Sequence, residues 1–271
     1  MIALLIAASV ALLLAMVVTP TAIKILRDRN IGQFIQEEVE GHAHKHGTPT
    51  MGGVVIVGSV IVAYFLAHIR LWTASTGLTF QIEDFAGGGL LAMFALVGMA
   101  LIGFLDDYVK YNRKRSLGLK ARWKYAGQLL VAGVFAIGAE SLGVSTDLSF
   151  TRPMEFDLGE FFVALVLFLL TGAANGANLA DGMDGLAAGS GALMFGAYTI
   201  IAFWQSRNPE IYVAATNPRE LAIISAGMLG ALSGFLWWNA PPSKIFMGDV
   251  GSNAIGGLLA AVALLSNTTL L

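Results

Sequence analysis

The chain alternates long apolar runs with short polar segments. A helix needs about 20 apolar residues to cross the hydrocarbon core of a bilayer, so runs near that length without Asp, Glu, Lys or Arg are candidate spans. Eight occur, near residues 2–22, 51–68, 86–104, 125–140, 161–178, 186–204, 221–238 and 252–271, the fourth being the shortest. The pattern predicts an all-α, polytopic integral membrane protein with about eight transmembrane helices in one domain over residues 1–271. No repeat, low-complexity tract or Pro-rich linker divides it. The first run starts at Met1 without a basic leader and ends without a small-residue cleavage site, so it reads as a retained helix.

Charge orients these spans. Lys24, Arg27 and Arg29 directly follow the first run, which places the amino terminus outside. Parity then puts residues 23–50, 105–124, 179–185 and 239–251 on the cytoplasmic side, and these loops hold twelve Lys and Arg, against four outside at Arg70, Arg152, Arg207 and Arg219. Composition agrees: 56% of residues are hydrophobic and 13% charged, against roughly 25% charged in soluble domains. A net charge of −2 gives no sign of nucleic-acid binding, and zero cysteines exclude disulfides and thiolate metal sites. The 32 glycines suit close helix packing in lipid.

The inside loops carry the candidate chemistry. Asp106 and Asp107 lie in GFLDDYVK, Asp181 and Asp184 in NLADGMDG, and Asp249 in FMGDVGSN. Each alone fits a solvated helix end or a cap. Together they would repel unless a cation or proton offset the charge. Mg²⁺ takes oxygen ligands from one or two carboxylates, water and substrate phosphates, and suits this set better than zinc, for which no His or Cys motif exists. Adjacent Asp106 and Asp107 would point about 100° apart on a helix, so one is expected to face a site squarely while the other supports it. Asp181 and Asp184 share a face if the sixth helix begins there, while Gly182 and Gly185 equally allow a loop.

The first inside loop adds HAHKHGTPTMGG at 42–53, where His42, His44, Lys45 and His46 precede a Gly-Thr-Pro-Thr turn and a helix start, a setting that favours phosphate. These basic residues also suit topology or anionic headgroups, with Lys45 the stronger candidate for a ligand contact. The cations from Lys110 to Lys124 are either positive-inside charge or partners for an anion beside the Asp pair. Trp237 and Trp238 fit an interfacial belt, and Phe246 fits either that belt or stacking on a base.

Four motifs stand in order: GTPTMGG at 47–53, GFLDDY at 103–108, NLADGMDG at 178–185 and FMGDVGSN at 246–253. Over its whole length the chain resembles the polyprenyl-phosphate N-acetylhexosamine-1-phosphate transferase superfamily, and within it the phospho-N-acetylmuramoyl-pentapeptide transferases. The resemblance implies a Mg²⁺-dependent enzyme of the bacterial inner membrane, its site facing the cytoplasm and a homodimer compatible with it. The implied reaction moves phospho-N-acetylmuramoyl-pentapeptide from UDP-N-acetylmuramoyl-pentapeptide to undecaprenyl phosphate, giving lipid I and UMP for peptidoglycan synthesis. By matching position, Asp249 is implied as the Mg²⁺ ligand, and Asp106 and Asp107 as the catalytic pair at the lipid-phosphate end. Lys45, Thr50, Asn178, Asp181, Asp184, Asn239 and Phe246 match positions lining the nucleotide and metal cleft.

A transferase of N-acetylglucosamine-1-phosphate shares the Asp motifs, and GTPTMGG argues against it. A transporter would more commonly place an acidic group mid-span, where none of the five motif carboxylates falls. Direct attack by the lipid phosphate is expected rather than a phospho-aspartyl intermediate, because a phosphate monoester is already largely ionised at neutral pH. Family members have about ten helices and a histidine-rich last loop, which His42, His44, His46 and His68 do not supply. Residues 1–271 are therefore expected to be a shortened form, whose own turnover is a matter for assay.

Overall fold

The computed structural model describes residues 1–29, 31, 32, 47–73, 77–114, 117–150 and 153–271. Among these described residues, eight helices form in the order of the apolar runs: α1 (Ile2–Asp28), α2 (Gly53–Ala67), α3 (Gly87–Arg113), α4 (Ala121–Ser141), α5 (Phe161–Ala180), α6 (Leu186–Arg207), α7 (Pro218–Asn239) and α8 (Gly248–Leu265). Six of them, α1, α3, α5, α6, α7 and α8, are long and apolar enough to cross a membrane. The protein is thus a helical, multi-pass membrane type. The two remaining expected spans fall short for separate reasons. α2 has 15 residues, about 22 Å at 1.5 Å per residue, and α4 carries Arg122, Lys124 and Glu140.

Two helices overrun their apolar stretches. α3 continues through residues expected as loop, so Asp106, Asp107 and Lys110 ride on its last turns. α8 begins four residues before the apolar run and ends at Leu265 instead of 271, which places Asp249 in its first turn. A search that stops at the first charged residue misses such turns, because the charges here are paired inside the protein.

α7 and α8 form the buried centre. α1, α2 and α6 surround α7, α3 and α5 flank α8, and α4 bridges α3 and α5. On α1, Ala7, Ala11, Ala15 and Thr19 are fully buried at a spacing of four, and they meet Gly230 and Gly234 of α7. A side chain at either glycine would overlap the backbone carbonyls of Ala8 or Leu12. Small residues on both faces let the two backbones approach, which is how helices associate where lipid supplies no hydrophobic drive.

The end of the bundle away from the Asp motifs carries two features absent from the sequence expectations. One is a pair of antiparallel hairpins, β1 (Ile69–Thr73) with β2 (Gly77–Ile82) and β3 (Asp147–Ser149) with β4 (Pro153–Asp157). The other is a buried polar cluster. Glu220, in the first turn of α7, accepts a 2.5 Å hydrogen bond from the Tyr64 hydroxyl and lies 2.9 Å from His68 Nε2. Phe85 covers the His68 ring at 4.5 Å. Its partners are internal, as a polar group at membrane depth requires.

Candidate active site

The carboxyl end of α3 and the amino ends of α4 and α8 converge at one end of the bundle. Gly103 makes this convergence possible, since a Cβ there would collide with the Asp249 carbonyl. Asp106, Asp107 and Asp249 each present an oxygen, all within 4.8 Å of one another. Lys110 sits among them, its Nζ 2.7 Å from Asp106, 3.3 Å from Asp107 and 3.1 Å from Asp249. Lys124, on the first turn of α4, donates to the other oxygen of Asp249 at 2.5 Å. Backbone groups complete the arrangement: Leu119 N–H donates to Asp106 at 2.9 Å, and Val250 N–H to Asp107 at 3.2 Å. Asp107 therefore caps α8 from another helix, satisfying one of its orphan amides and setting negative charge at the positive end of its dipole.

Both members of the Asp pair face this cluster, which corrects the expectation that only one would do so squarely. The 100° between them is spanned because Lys110, one turn further on, bonds to both, at i+4 from Asp106 and i+3 from Asp107. Three carboxylates thus share two ammonium groups, Lys110 and Lys124. Asp181 stands beside this cluster and keeps its proton at neutral pH. It lies in the turn after α5, and burial first, then the charges of Asp249 and Asp107, push its carboxyl up to about 8. A close set of carboxylate oxygens is what a hard divalent cation takes, so these residues fit Mg²⁺.

The remaining candidates divide. The Thr50 hydroxyl and the Asp107 carboxylate flank Gly248, whose φ of +70 and crowded Cβ position suit glycine alone. Asn178 donates to Ser252 Oγ at 2.9 Å. Asp184 accepts from Ser243 N–H at 3.2 Å, and residues 181–185 form turns before α6, so the loop alternative holds there. Asn239 is 2% exposed, accepting from Gly185 N–H and donating to the Ile245 carbonyl. Its amide stitches the two loops together. The backbone of Phe246 bonds to Pro49 and Gly52, joining the first motif to the fourth. Trp237 is exposed, and Trp238 donates to the Met16 carbonyl. Lys45 and His42, His44 and His46 lie outside the described residues.

The sequence reading left the roles of Lys110 and Lys124 open, and it missed a set of buried and half-buried amides beneath the carboxylates. Gln128 of α4 is hydrogen-bonded to both Asn175 of α5 and Asn253 of α8. The i+3 and i+4 spacing of Lys110 from the Asp pair was the available signal for the first. Nothing in an apolar run tells which partner a lone Gln finds. Beside these groups, between α4 and α5, a cavity of about 420 Å³ is lined by Ala121, Arg122, Lys124, Tyr125, Gln128 and Asn175.

A bundle of membrane-length helices that gathers acidic and basic side chains at one end defines a membrane-embedded protein built to handle anionic groups beside the bilayer. The chain belongs to glycosyl transferase family 4, whose model matches residues 89–267, and it is accordingly a transferase. Residues 45–57 match a signature described as phospho-N-acetylmuramoyl-pentapeptide-transferase signature 1. It is similar to the phospho-N-acetylmuramoyl-pentapeptide-transferase of Streptomyces griseus, 43% identical over 98% of this chain and 77% of the relative. That of Paenarthrobacter aurescens is 44% identical over 100% of this chain and 79% of the relative. That of Frankia alni is 43% identical over 98% and 77%.

Proposed function

We propose that the protein transfers phospho-N-acetylmuramoyl-pentapeptide from its uridine diphosphate carrier to undecaprenyl phosphate, yielding lipid I and UMP. The observation that carries this reading is the convergence of Asp106, Asp107 and Asp249 with Lys110 and Lys124 at one end of the bundle. The names of the relatives and the signature at residues 45–57 support the choice of sugar. The twelve-to-four distribution of Lys and Arg supports a cytoplasmic orientation for the same end, in the bacterial inner membrane.

In the reaction, an oxygen of the lipid phosphate bonds to the phosphorus borne by the sugar. The bond from that phosphorus to the bridging oxygen breaks, and the electron pair leaves with UMP. Both reactants are anions, so the chain must supply positive charge where they meet. Lys110 and Lys124 do so, held in place by the carboxylates they bond. Asp106 and Asp107 stand at the lipid-phosphate end, where Asp106 takes any proton the monoester still carries. Asp249, with Asp106 and Asp107, would hold Mg²⁺, which when bound neutralises phosphate charge and aligns the diphosphate. Thr50, Asn178, Asp181 and Asp184 line the nucleotide side, Asn239 holds its loops, Lys45 serves as a phosphate contact and Phe246 as a platform for uracil.

The test is transfer itself. With the protein in nanodiscs containing undecaprenyl phosphate and Mg²⁺, labelled UDP-N-acetylmuramoyl-pentapeptide should give lipid-extractable label and one UMP per product. UDP-N-acetylglucosamine should give neither. Label appearing from the second nucleotide and not the first would reassign the protein to N-acetylglucosamine-1-phosphate transfer.

A further inference from the structure

Two contacts join α4 to α8, and they have the same period. Lys124 and Gln128 are four residues apart on α4, and Asp249 and Asn253 are four apart on α8. The upper rung is ionic, Lys124 Nζ to Asp249 Oδ2 at 2.5 Å. The lower is an amide pair, Gln128 Nε2 donating to Asn253 Oδ1 at 3.1 Å. Each lower residue lies about one helical turn, roughly 6 Å along the axis, below its upper neighbour. Asn253 also reaches upward, its Nδ2 donating to the Asp249 carbonyl at 2.9 Å. Gln128 is anchored from the far side by Asn175 of α5, whose Nδ2 donates to Gln128 Oε1 at 2.8 Å and to the Thr171 carbonyl at 2.8 Å.

We infer that Gln128 and Asn253 are positioning residues, an amide rung that sets the register and rotation of α4 against α8 and so holds Lys124 on Asp249. Both are fully buried. Both partners are enclosed by protein, so breaking the rung leaves a buried polar atom without its partner, and rotation or translation of a helix relieves it. Either motion is carried directly to the ionic rung, because both rungs stand on the same two helices. A salt bridge alone could not fix this geometry. A lysine has four rotatable side-chain bonds and meets a carboxylate in many rotamers, whereas a planar amide pair accepts few orientations. The rung also forms part of the cavity wall that Lys124, Arg122 and Tyr125 line, so its setting governs how Lys124 is shared between Asp249 and whatever anion occupies that space. The kinetic consequence rests on the transfer reading, and the placement of Lys124 does not.

The experiment compares Gln128→Met, the length-exchanging pair Gln128→Asn with Asn253→Gln, and a control, Gln205→Met. Gln205 is equally buried and bonds the Ser266 carbonyl at 2.8 Å near the other end of the bundle. On the monodisperse fraction of each, the rate at which an amine-specific acylating reagent modifies Lys124 is read by peptide mass spectrometry, and kcat and KM are measured where turnover is present. Gln128→Met should raise Lys124 labelling severalfold and lower kcat by about 10- to 100-fold, with KM for the nucleotide within about twofold. The exchanged pair should restore both towards the parent, and Gln205→Met should change neither labelling nor kcat. If Lys124 labelling is unchanged by Gln128→Met, or rises as much in Gln205→Met, the rung does not position it and the inference is overturned. If labelling responds as expected but no variant and no parent transfers the sugar, the proposed function is what fails.

Discussion

At the level of single residues, the cluster shows how a site can be legible chemically and not geometrically. Five aspartates in short polar segments announce a cation or phosphate site through their mutual repulsion, and the structure brings Asp106, Asp107, Asp181 and Asp249 within electrostatic reach. That Lys110 would bridge all three carboxylates, or that Gln128 would pair with Asn253, depends on which helix turns meet, and no single segment records that. The position of Asp181 has a measurable consequence. Its carboxyl titrates near 3.8 in the unfolded chain and is pushed up to about 8 in the folded one, so between those values the folded state holds a proton that the unfolded state has released. Stability therefore falls as pH rises from about 4 to 8. With EDTA present, Asp181→Asn should melt higher than the parent at pH 8, and the gap should shrink towards pH 4. A gap independent of pH would mean that Asp181 is not held in this environment.

At the level of elements, the eight helices were readable because a bilayer demands long apolar runs, and that demand dominates every other local preference. The ends were not. α3 runs to Arg113 because Lys110 neutralises Asp106 and Asp107 from within the same helix, and α8 starts at Gly248 because Asp107 caps it from α3. The hairpins β1–β2 and β3–β4 escaped for the opposite reason: strands of three to six residues leave too short a pattern to stand out between long runs. The meeting of α3 with α8 can be tested at Gly103. A methyl there has no space beside the Asp249 carbonyl, so Gly103→Ala should cost about 1–3 kcal/mol, read as a lower melting midpoint in detergent. Gly58→Ala, where nothing lies within 4 Å, should be neutral or slightly stabilising. Equal effects at both positions would contradict the close approach.

At the level of the whole molecule, the functional groups among the described residues share one end of the bundle, and the hairpins with the Glu220 cluster share the other. The sequence supplied the matching expectation through the distribution of Lys and Arg alone. Because the protein has no cysteine, single replacements report orientation without background. In right-side-out bacterial spheroplasts, Asp84→Cys should react with an impermeant maleimide and Lys120→Cys should not, the reverse holding in inverted vesicles. The opposite pattern would place the carboxylate cluster outside and remove its access to a cytoplasmic nucleotide. The central claim is that transfer takes place at Asp106, Asp107 and Asp249, and it is tested most directly by Asp249→Asn, a change that keeps the shape of the side chain and removes its charge. The account predicts at least a ~10²-fold fall in the rate of lipid I formation together with loss of Mn²⁺ binding measured by electron paramagnetic resonance; a folded variant that binds Mn²⁺ and turns over at the parent rate would contradict it.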